Sequence, residues 1–218
     1  MGEVDVLTVG MDEVATSSLV GGFWVGAVLP SASLGELPLR DSKELSPQQI
    51  ELLAREIGER AICAVAEVTL EEIDRFGLGD CLTLGYQRAF EVLRFQCDAF
   101  EQVIIDGKVN YLQHEPRVRT QVRADATVPS VAAASIVAKH AANMRMAVLA
   151  AKYPEYCLDQ NHGHNTVQHR QALAAHGASA VHRRRSRVVQ AQQWAHCGQL
   201  FPAEESMVTC GESEDEEV

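Results

Sequence analysis

The stretch DVLTVGMDEV, residues 5–14, decides the expected fold. It has the apolar character of a buried strand, and Asp12 and Glu13 stand where its apolar run ends. A second short run, QVIID, ends at Asp106, and Asp125 comes shortly before the Ala-rich stretch SVAAASIVAK. Four acids delivered from separate parts of one apolar core predict a divalent-metal site.

The basis of this prediction is the cost of burying charge. A carboxylate at the end of a buried strand loses hydration, and neighbouring carboxylates repel one another. Such a cluster persists only if a cation neutralises it or if protons are taken up. Mg²⁺ prefers oxygen ligands and completes its shell with water and with phosphate oxygens of a substrate. The four acids therefore favour phosphoryl chemistry.

Length and composition predict one domain. The chain has 218 residues, of which 46% are hydrophobic, so it can bury a full core. We expect neither a membrane span nor secretion, because no apolar run approaches ~20 residues and the N-terminus does not resemble a signal segment. The expected location is the cytoplasm. The six cysteines lack a CxxC pair, which favours reduced thiols over a zinc site or disulfides.

Charge is distributed unevenly along the chain. The net charge is −11, and residues 203–218 contain seven acids without Lys or Arg, which predicts a disordered acidic tail. Residues 161–202 contain five Arg and six His without an acid, including the run HRRRSR at 182–187. Composition alone leaves two interpretations of this basic strip equally open: a solvated face, or a surface that contacts phosphates.

Periodicity predicts a chain of mixed α/β type. The runs DVLTVGMD, GFWVGAVLP, AICAVAEVTL and QVIID are predicted strands. SPQQIELLAREIGERA is a predicted helix with Ser46 as its cap and with apolar residues at helical spacing, namely Ile50, Leu52, Leu53 and Ile57. Further helices are predicted at about 82–93, over SVAAASIVAKHAANMRMAVLAAKY, and near 166–175 and 188–198.

Several longer strings occur together in a fixed order: VGMDEV, LRDSKELS, EEID, VIIDG, DATVPSVAAASIVAK, YPEY…HGHNTVQHRQAL and HGASAVHRRRS. In order and spacing, the chain resembles ribonuclease HII, the type 2 ribonuclease H family. The resemblance implies a ribonuclease H-like α/β fold, with a central mixed β-sheet flanked by helices and a small C-terminal helical portion. It places the catalytic domain at residues 1–202, with 160–202 as its helical, basic portion.

The resemblance also implies an activity. Asp12, Glu13, Asp106 and Asp125 match the acids that bind metal and catalyse the reaction, with two Mg²⁺ or Mn²⁺ ions expected. The expected substrates are RNA–DNA hybrids, whose RNA strand is hydrolysed to 5′-phosphate and 3′-hydroxyl ends, and duplex DNA that contains ribonucleotides. The family expectation is a monomer, and no protein partner is predicted.

Further residues match positions at which the family contacts or supports its substrate: Ala15, Thr16, Ser17, Lys43, Ser135, Lys139, His164, Arg183 and Arg184. For Arg183 and Arg184 the implied contact is the nucleic-acid backbone. For Lys43, a phosphate contact and an ordinary surface position are both compatible with the sequence.

Two departures from the family pattern affect the expected specificity. Ala15-Thr16-Ser17 replaces a Gly-Arg-Gly loop whose backbone meets the ribose 2′-hydroxyl, and DEVATS leans toward the Asp-Glu-Val-Gly-Thr-Gly of ribonuclease HIII. His164 replaces a Tyr that stacks under a deoxyribose. Two hypotheses remain: an endonuclease with altered preference for single ribonucleotides, and a catalytically weak hybrid-binding module that keeps the fold.

Overall fold

The computed structural model describes residues 7–39 and 42–192, apart from the side chain of Lys43. In this part of the chain a mixed five-stranded sheet has the order β3-β2-β1-β4-β5. Strand β1 lies antiparallel to β2 and parallel to β4, β2 is antiparallel to β3, and β4 is parallel to β5. The strands are β1 (Thr8–Val14), β2 (Phe23–Pro30), β3 (Ala61–Val68), β4 (Gln102–Asp106) and β5 (Val118–Gln121).

Helices cover both faces of the sheet. They are α1 (Pro47–Arg60), α2 (Leu70–Phe76), α3 (Leu78–Gln96), α4 (Pro129–Lys152), α5 (Leu158–Asn161) and α6 (Val167–His176). Residues 187–192 are also helical, and short 3₁₀ helices occupy Ala32–Glu36, Ser42–Glu44, Ala124–Ala126 and Pro154–Tyr156. None of the helices in the described ranges combines the length and the apolar character needed to cross a membrane.

Most of the predicted elements are confirmed. Strands β1 to β4 coincide with the four predicted apolar runs, and α4 coincides with the predicted Ala-rich helix. Helix α3 begins at Leu78, earlier than predicted, and neither α2 nor β5 was predicted. Of the segment predicted at 188–198, residues 193–198 lie outside the described ranges, as does the predicted acidic tail.

Helix α1 follows its sequence signals closely. The Ser46 hydroxyl accepts from the backbone N–H of Gln49, and the Gln49 side chain accepts from the backbone N–H of Ser46, which completes a capping box. Ile50, Leu53 and Ile57 are buried, whereas Leu52 is 58% exposed because it lies outside their stripe. Three of the four apolar positions in the predicted helix thus form its buried stripe.

Helix α4 lies with its backbone directly against the sheet. The residues from Ser130 to Ala138 are all buried, and most of them are small. A Cβ atom at Gly10 of β1 would overlap the backbone of Ser130, and a Cβ atom at Gly26 of β2 would overlap the carbonyl of Ala134. Small residues on the helix and glycines on the strands thus allow a contact closer than side chains normally permit.

The two faces of the sheet have separate cores. On one face, Tyr86, Phe90 and Leu93 of α3 pack with Met11 and Val25. On the other face, α1 and α4 pack together over β2. A third cluster joins the end of α4 to α5, α6 and the loop between β1 and β2 through residues that include Leu19, Val20, Leu149, Leu158 and Leu173.

We expect Gly10→Ala to lower the free energy of unfolding by about 3 kcal/mol, because the added methyl group meets helix backbone rather than a side chain that can rotate away. Gly58→Ala is the matched control. Gly58 lies on the exposed face of helix α1 with no atom near its Cβ position, so alanine should raise stability by about 0.5–1 kcal/mol. Urea unfolding of both variants measures the difference, and equal effects at the two sites would contradict the close approach of α4.

Candidate active site

Asp12 and Asp106 lie side by side on neighbouring parallel strands. Met11 of β1 is in register with Ile105 of β4, so the next residues of the two strands are Asp12 and Asp106. Strand β1 continues to Val14, so Asp12 and Glu13 lie within the strand. The apolar pattern had suggested that they follow the strand. Side chains alternate along a strand, which places Asp12 on the α4 face and Glu13 on the α3 face.

The environment of Asp12 opposes its ionisation. Its pKa is raised to about 7, mainly by burial and also by the carboxylates of Glu13 and Asp106, whereas a hydrogen bond with Ser135 acts in the opposite direction. The backbone N–H of Glu13 also donates to Asp12 Oδ1 at 2.9 Å. A divalent cation beside Asp12 would offset both the burial and the repulsion.

Ser135 supports Asp12 from helix α4. Its side chain is buried, and its Oγ lies 2.9 Å from Oγ of Ser42, which belongs to the 3₁₀ helix before α1. Ser135 thus lies beneath the carboxylate and links it to the DSKELS segment. The predicted contact of Lys43 with phosphate stays a prediction, because its side chain lies outside the described part of the structure.

Glu13 has a partner that the sequence did not indicate. The hydroxyl of Tyr86, on α3, donates to Glu13 Oε2. Tyr86 is fully buried, and its ring stacks on Tyr111 with the ring centroids 4.6 Å apart. Burial raises the pKa of both phenols, and the Glu13 charge raises them further, so both stay protonated at neutral pH. In the sequence, the indication of this contact was limited to a tyrosine, with its polar hydroxyl, among the apolar positions of α3.

Asp125 reaches this region through a short turn. It is buried in the 3₁₀ helix Ala124–Ala126, and the backbone N–H of Ala124 donates to Asp106 Oδ1 at 2.8 Å. This bond ties the turn to the end of β4. In residues 7–39 and 42–192, however, no three His, Cys, Asp or Glu side chains are arranged to hold one metal ion together. The structure pairs Asp12 with Asp106 and leaves Glu13 and Asp125 at their flanks.

Ala15, Thr16 and Ser17 begin the β1–β2 loop, which we define as residues 15–22. Ala15 has a φ of 66°, in the left-handed region that favours glycine. Thr16 and Ser17 line a cavity of about 220 Å³ together with Arg183 and Arg185. A larger cavity of about 790 Å³ lies between β3, α3 and residues 112–115 and contains none of the predicted site residues.

Arg183 and Arg184 occupy different environments. Arg183 is buried, and its guanidinium donates to four backbone carbonyls of the β1–β2 loop. This differs from the predicted contact with the nucleic-acid backbone, because the donors that would bind a phosphate are already engaged. Arg184 is exposed, and only its backbone N–H bonds Asp74. The basic strip is therefore part interior and part surface.

His164 lies beside Lys139 of α4 and near a buried histidine pair. Burial lowers the pKa of His164, and the Lys139 charge lowers it further. The carbonyl of His164 accepts from Nδ1–H of His169, whose Nε2 lies 3.2 Å from Nε2 of His182. Burial lowers the pKa of His182 to about 4, so both rings of the pair are neutral at physiological pH.

We expect Asp12→Asn to stabilise the metal-free protein at pH 8 but not at pH 4. The folded pKa of about 7 exceeds the ordinary value of 3.8, so the wild-type chain loses stability as the pH rises between them. Asparagine has no proton to lose, and the difference should approach the order of 4 kcal/mol. Urea unfolding in a chelator across this pH range measures it. A difference that does not change with pH would contradict the raised pKa.

Comparison with known proteins agrees with this architecture. The family model for Ribonuclease HII matches residues 9–195. The ribonuclease HII of Dechloromonas aromatica is 40% identical over 179 residues, which cover 82% of this chain and 89% of that protein. The ribonuclease HII of Helicobacter pylori is 32% identical over 186 residues, covering 81% of this chain and 87% of that protein.

Solved structures share the fold. The RNase HII in the PCNA:RNase HII complex from Archaeoglobus fulgidus aligns with a TM-score of 0.69 and 26% identity over 83% of this chain and 95% of that chain. Bst-RNase HIII in complex with Mn²⁺ aligns with a TM-score of 0.72 over 89% of this chain and 71% of that chain; at 22% identity, this likeness shows the fold alone. The predicted ribonuclease H-like fold is thus confirmed, and the chain belongs to the ribonuclease HII family of endonucleases.

Proposed function

We propose that this protein is a divalent-metal-dependent endonuclease that hydrolyses the RNA strand of RNA–DNA hybrids to 5′-phosphate and 3′-hydroxyl ends. Family membership implies the hybrid substrate. The observation that carries the metal-dependent mechanism is the pair formed by Asp12 and Asp106. Asp12 is 7% exposed, its pKa is raised to about 7, and its strand neighbour is a second carboxylate. A buried carboxyl beside a half-buried one is stabilised by a bound cation, because the cation offsets both the lost hydration and the repulsion.

The candidate ligands are Asp12 and Asp106, with Glu13 and Asp125 at their flanks. This oxygen-only set fits Mg²⁺ or Mn²⁺, and two ions are expected. Bound divalent ions would lower the pKa of the attacking water and stabilise the charge that develops on the leaving 3′-oxygen. The Mn²⁺ complex of Bst-RNase HIII, which shares the fold, supports this assignment.

The protein's own contribution is to hold these carboxylates in place. Ser135 bonds Asp12 from α4, the Ala124 N–H bonds Asp106, and the Tyr86 hydroxyl bonds Glu13 from the opposite face of the sheet. Asp12, Asp106 and Glu13 therefore each accept a hydrogen bond from a rigid element or turn. Such preorganisation limits the reorganisation needed when substrate phosphate arrives.

The proposed substrate contacts come from the β1–β2 loop, from helix α4 and from the C-terminal portion. Thr16 and Ser17 present backbone and hydroxyl groups of the β1–β2 loop, Lys139 supplies a positive charge, and neutral His164 can stack on a sugar. Arg184 is exposed and free of the buried bonds that engage Arg183, so it stays a candidate phosphate contact. We further propose incision at ribonucleotides within duplex DNA, with a preference altered by Ala15 and His164.

The decisive assay is cleavage of two end-labelled duplexes, with Mg²⁺ and then Mn²⁺. One duplex pairs a continuous RNA strand with DNA, and the other contains a single ribonucleotide. Asp106→Asn should reduce cleavage about a thousandfold or more, because a metal ligand beside Asp12 is lost. Glu51→Gln, on the exposed face of helix α1, is the matched control and should leave the rate unchanged. Binding of hybrid without metal-dependent cleavage by the wild-type protein would favour the alternative hybrid-binding module.

Tyr86→Phe should reduce cleavage on the order of tenfold, because it removes a hydrogen bond to the charged Glu13 while keeping the ring that stacks on Tyr111. Tyr156→Phe is the control, since it removes a buried hydroxyl that bonds Gly177 in the C-terminal portion. We expect both variants to lose some thermal stability and only the first to lose kcat. Equal activity of the two variants would show that the Tyr86 hydroxyl does not position Glu13.

A further inference from the structure

We propose that Arg183 is the positioning residue of the β1–β2 loop, and that it maintains Ala15 in the left-handed conformation in which the loop meets the substrate ribose. The inference rests on the proposed function, because the loop is assigned to substrate recognition there. It goes further by giving a buried arginine a part in specificity without any contact with nucleic acid.

The contacts of Arg183 join both ends of the loop. Its Nη2 donates to the carbonyls of Ala15 at 2.8 Å and Gly22 at 2.7 Å. Its Nη1 donates to Thr16 at 2.6 Å and its Nε to Gly21 at 2.8 Å. Four of the five N–H groups of the guanidinium are thus used. A planar fork can reach four carbonyls at once, whereas an ammonium group has only three donors at a single point.

The charge of Arg183 makes these bonds strong. The side chain is 4% exposed, and burial lowers its pKa to about 10, so it stays protonated at neutral pH. Charge-assisted bonds of this length exceed ordinary neutral ones in strength. Removing the guanidinium would leave buried carbonyls without their donors, which carries its own penalty.

Ala15 is the residue that needs this support. A left-handed conformation costs an alanine on the order of 1–2 kcal/mol, and such strain persists only where the surroundings hold it. The Ala15 carbonyl accepts from Arg183 and also from the backbone N–H of Ser18 at 3.1 Å. Glycine would adopt the same backbone conformation without cost. The left-handed conformation of residue 15 therefore depends more strongly on the bonds from Arg183 when this residue is alanine than it would for a glycine.

The same loop is joined to the turn that carries His164. The backbone N–H of Leu19 donates to the Gly163 carbonyl at 2.7 Å, and Ser18 Oγ donates to that carbonyl at 3.2 Å. The backbone N–H of Arg183 in turn donates to the Leu19 carbonyl at 2.8 Å. A shift of the loop after loss of Arg183 would thus displace both proposed sugar contacts, the loop backbone and His164.

A double-mutant cycle tests the proposal. Cleavage is measured for the wild type, Ala15→Gly, Arg183→Lys and the double variant, on whichever of the two duplexes the wild type cuts faster. Arg183→Lys should lower kcat/KM on the order of tenfold. Relative to its own effect in the wild-type background, Ala15→Gly should restore much of the loss in the Arg183→Lys background, because glycine adopts the left-handed conformation without strain. Arg55→Lys, on the exposed face of helix α1, is the matched control and should cleave like the wild type.

Amide hydrogen exchange provides a readout that does not depend on activity. The N–H groups of Leu19 and Gly21 bond Gly163 and Val181 across the loop, so they should exchange faster in Arg183→Lys and more slowly again in the double variant. Additive effects of the two substitutions on exchange, or unchanged exchange in Arg183→Lys, would overturn the proposal. If the wild type cleaves neither duplex while exchange follows the expected pattern, the proposed function fails and the role of Arg183 in holding the loop stands.

Discussion

The contact of the α4 backbone with strands β1 and β2 is the constraint on which the candidate active site depends. Gly10 and Gly26 leave room for the helix, and the run of small residues in α4 lets it fill that room. Asp12 is the next residue after Gly10 on the same face of β1, and it pairs with Gly26 of β2. Both glycines therefore adjoin it. Ser135 consequently lies within hydrogen-bonding distance of a carboxylate that would otherwise be buried without a side-chain donor.

A second constraint is the opposition between stability and metal binding at Asp12. The fold buries this carboxyl beside two others and provides too few donors to compensate its charge. Neighbouring groups are arranged to hold the acids and not to neutralise them: a serine, a backbone N–H and a tyrosine. A cation bound at such a site would supply the missing charge.

The strands and the long helices could be predicted because their apolar runs are uninterrupted. Helix α2 was missed although Thr69 and Glu72 form a capping box, a signal present in the sequence. Strand β5 buries only its first residue, Val118, so it has no apolar pattern to detect. The four acids were found from their places beside apolar runs. That Asp12 and Glu13 point to opposite faces of β1 became clear only when the structure showed that the strand continues to Val14.

Long-range partners were beyond reach of any local pattern. Tyr86 bonds an acid 73 positions away, and Arg183 bonds carbonyls more than 160 positions away. Composition described the run HRRRSR as a strip of positive charge, yet it could not tell that its first arginine points inward while the next two remain exposed. These neighbouring arginines have the same side chain and differ in their burial, which is a property of the folded chain.

The bonds of Arg183 also order events during synthesis of the chain. All four acids and the whole of α4 precede residue 153, so a growing chain acquires its candidate metal ligands early. The β1–β2 loop, by contrast, lacks its anchor until residue 183 has left the ribosome. The chain therefore completes its candidate metal ligands before the loop that we propose selects the substrate.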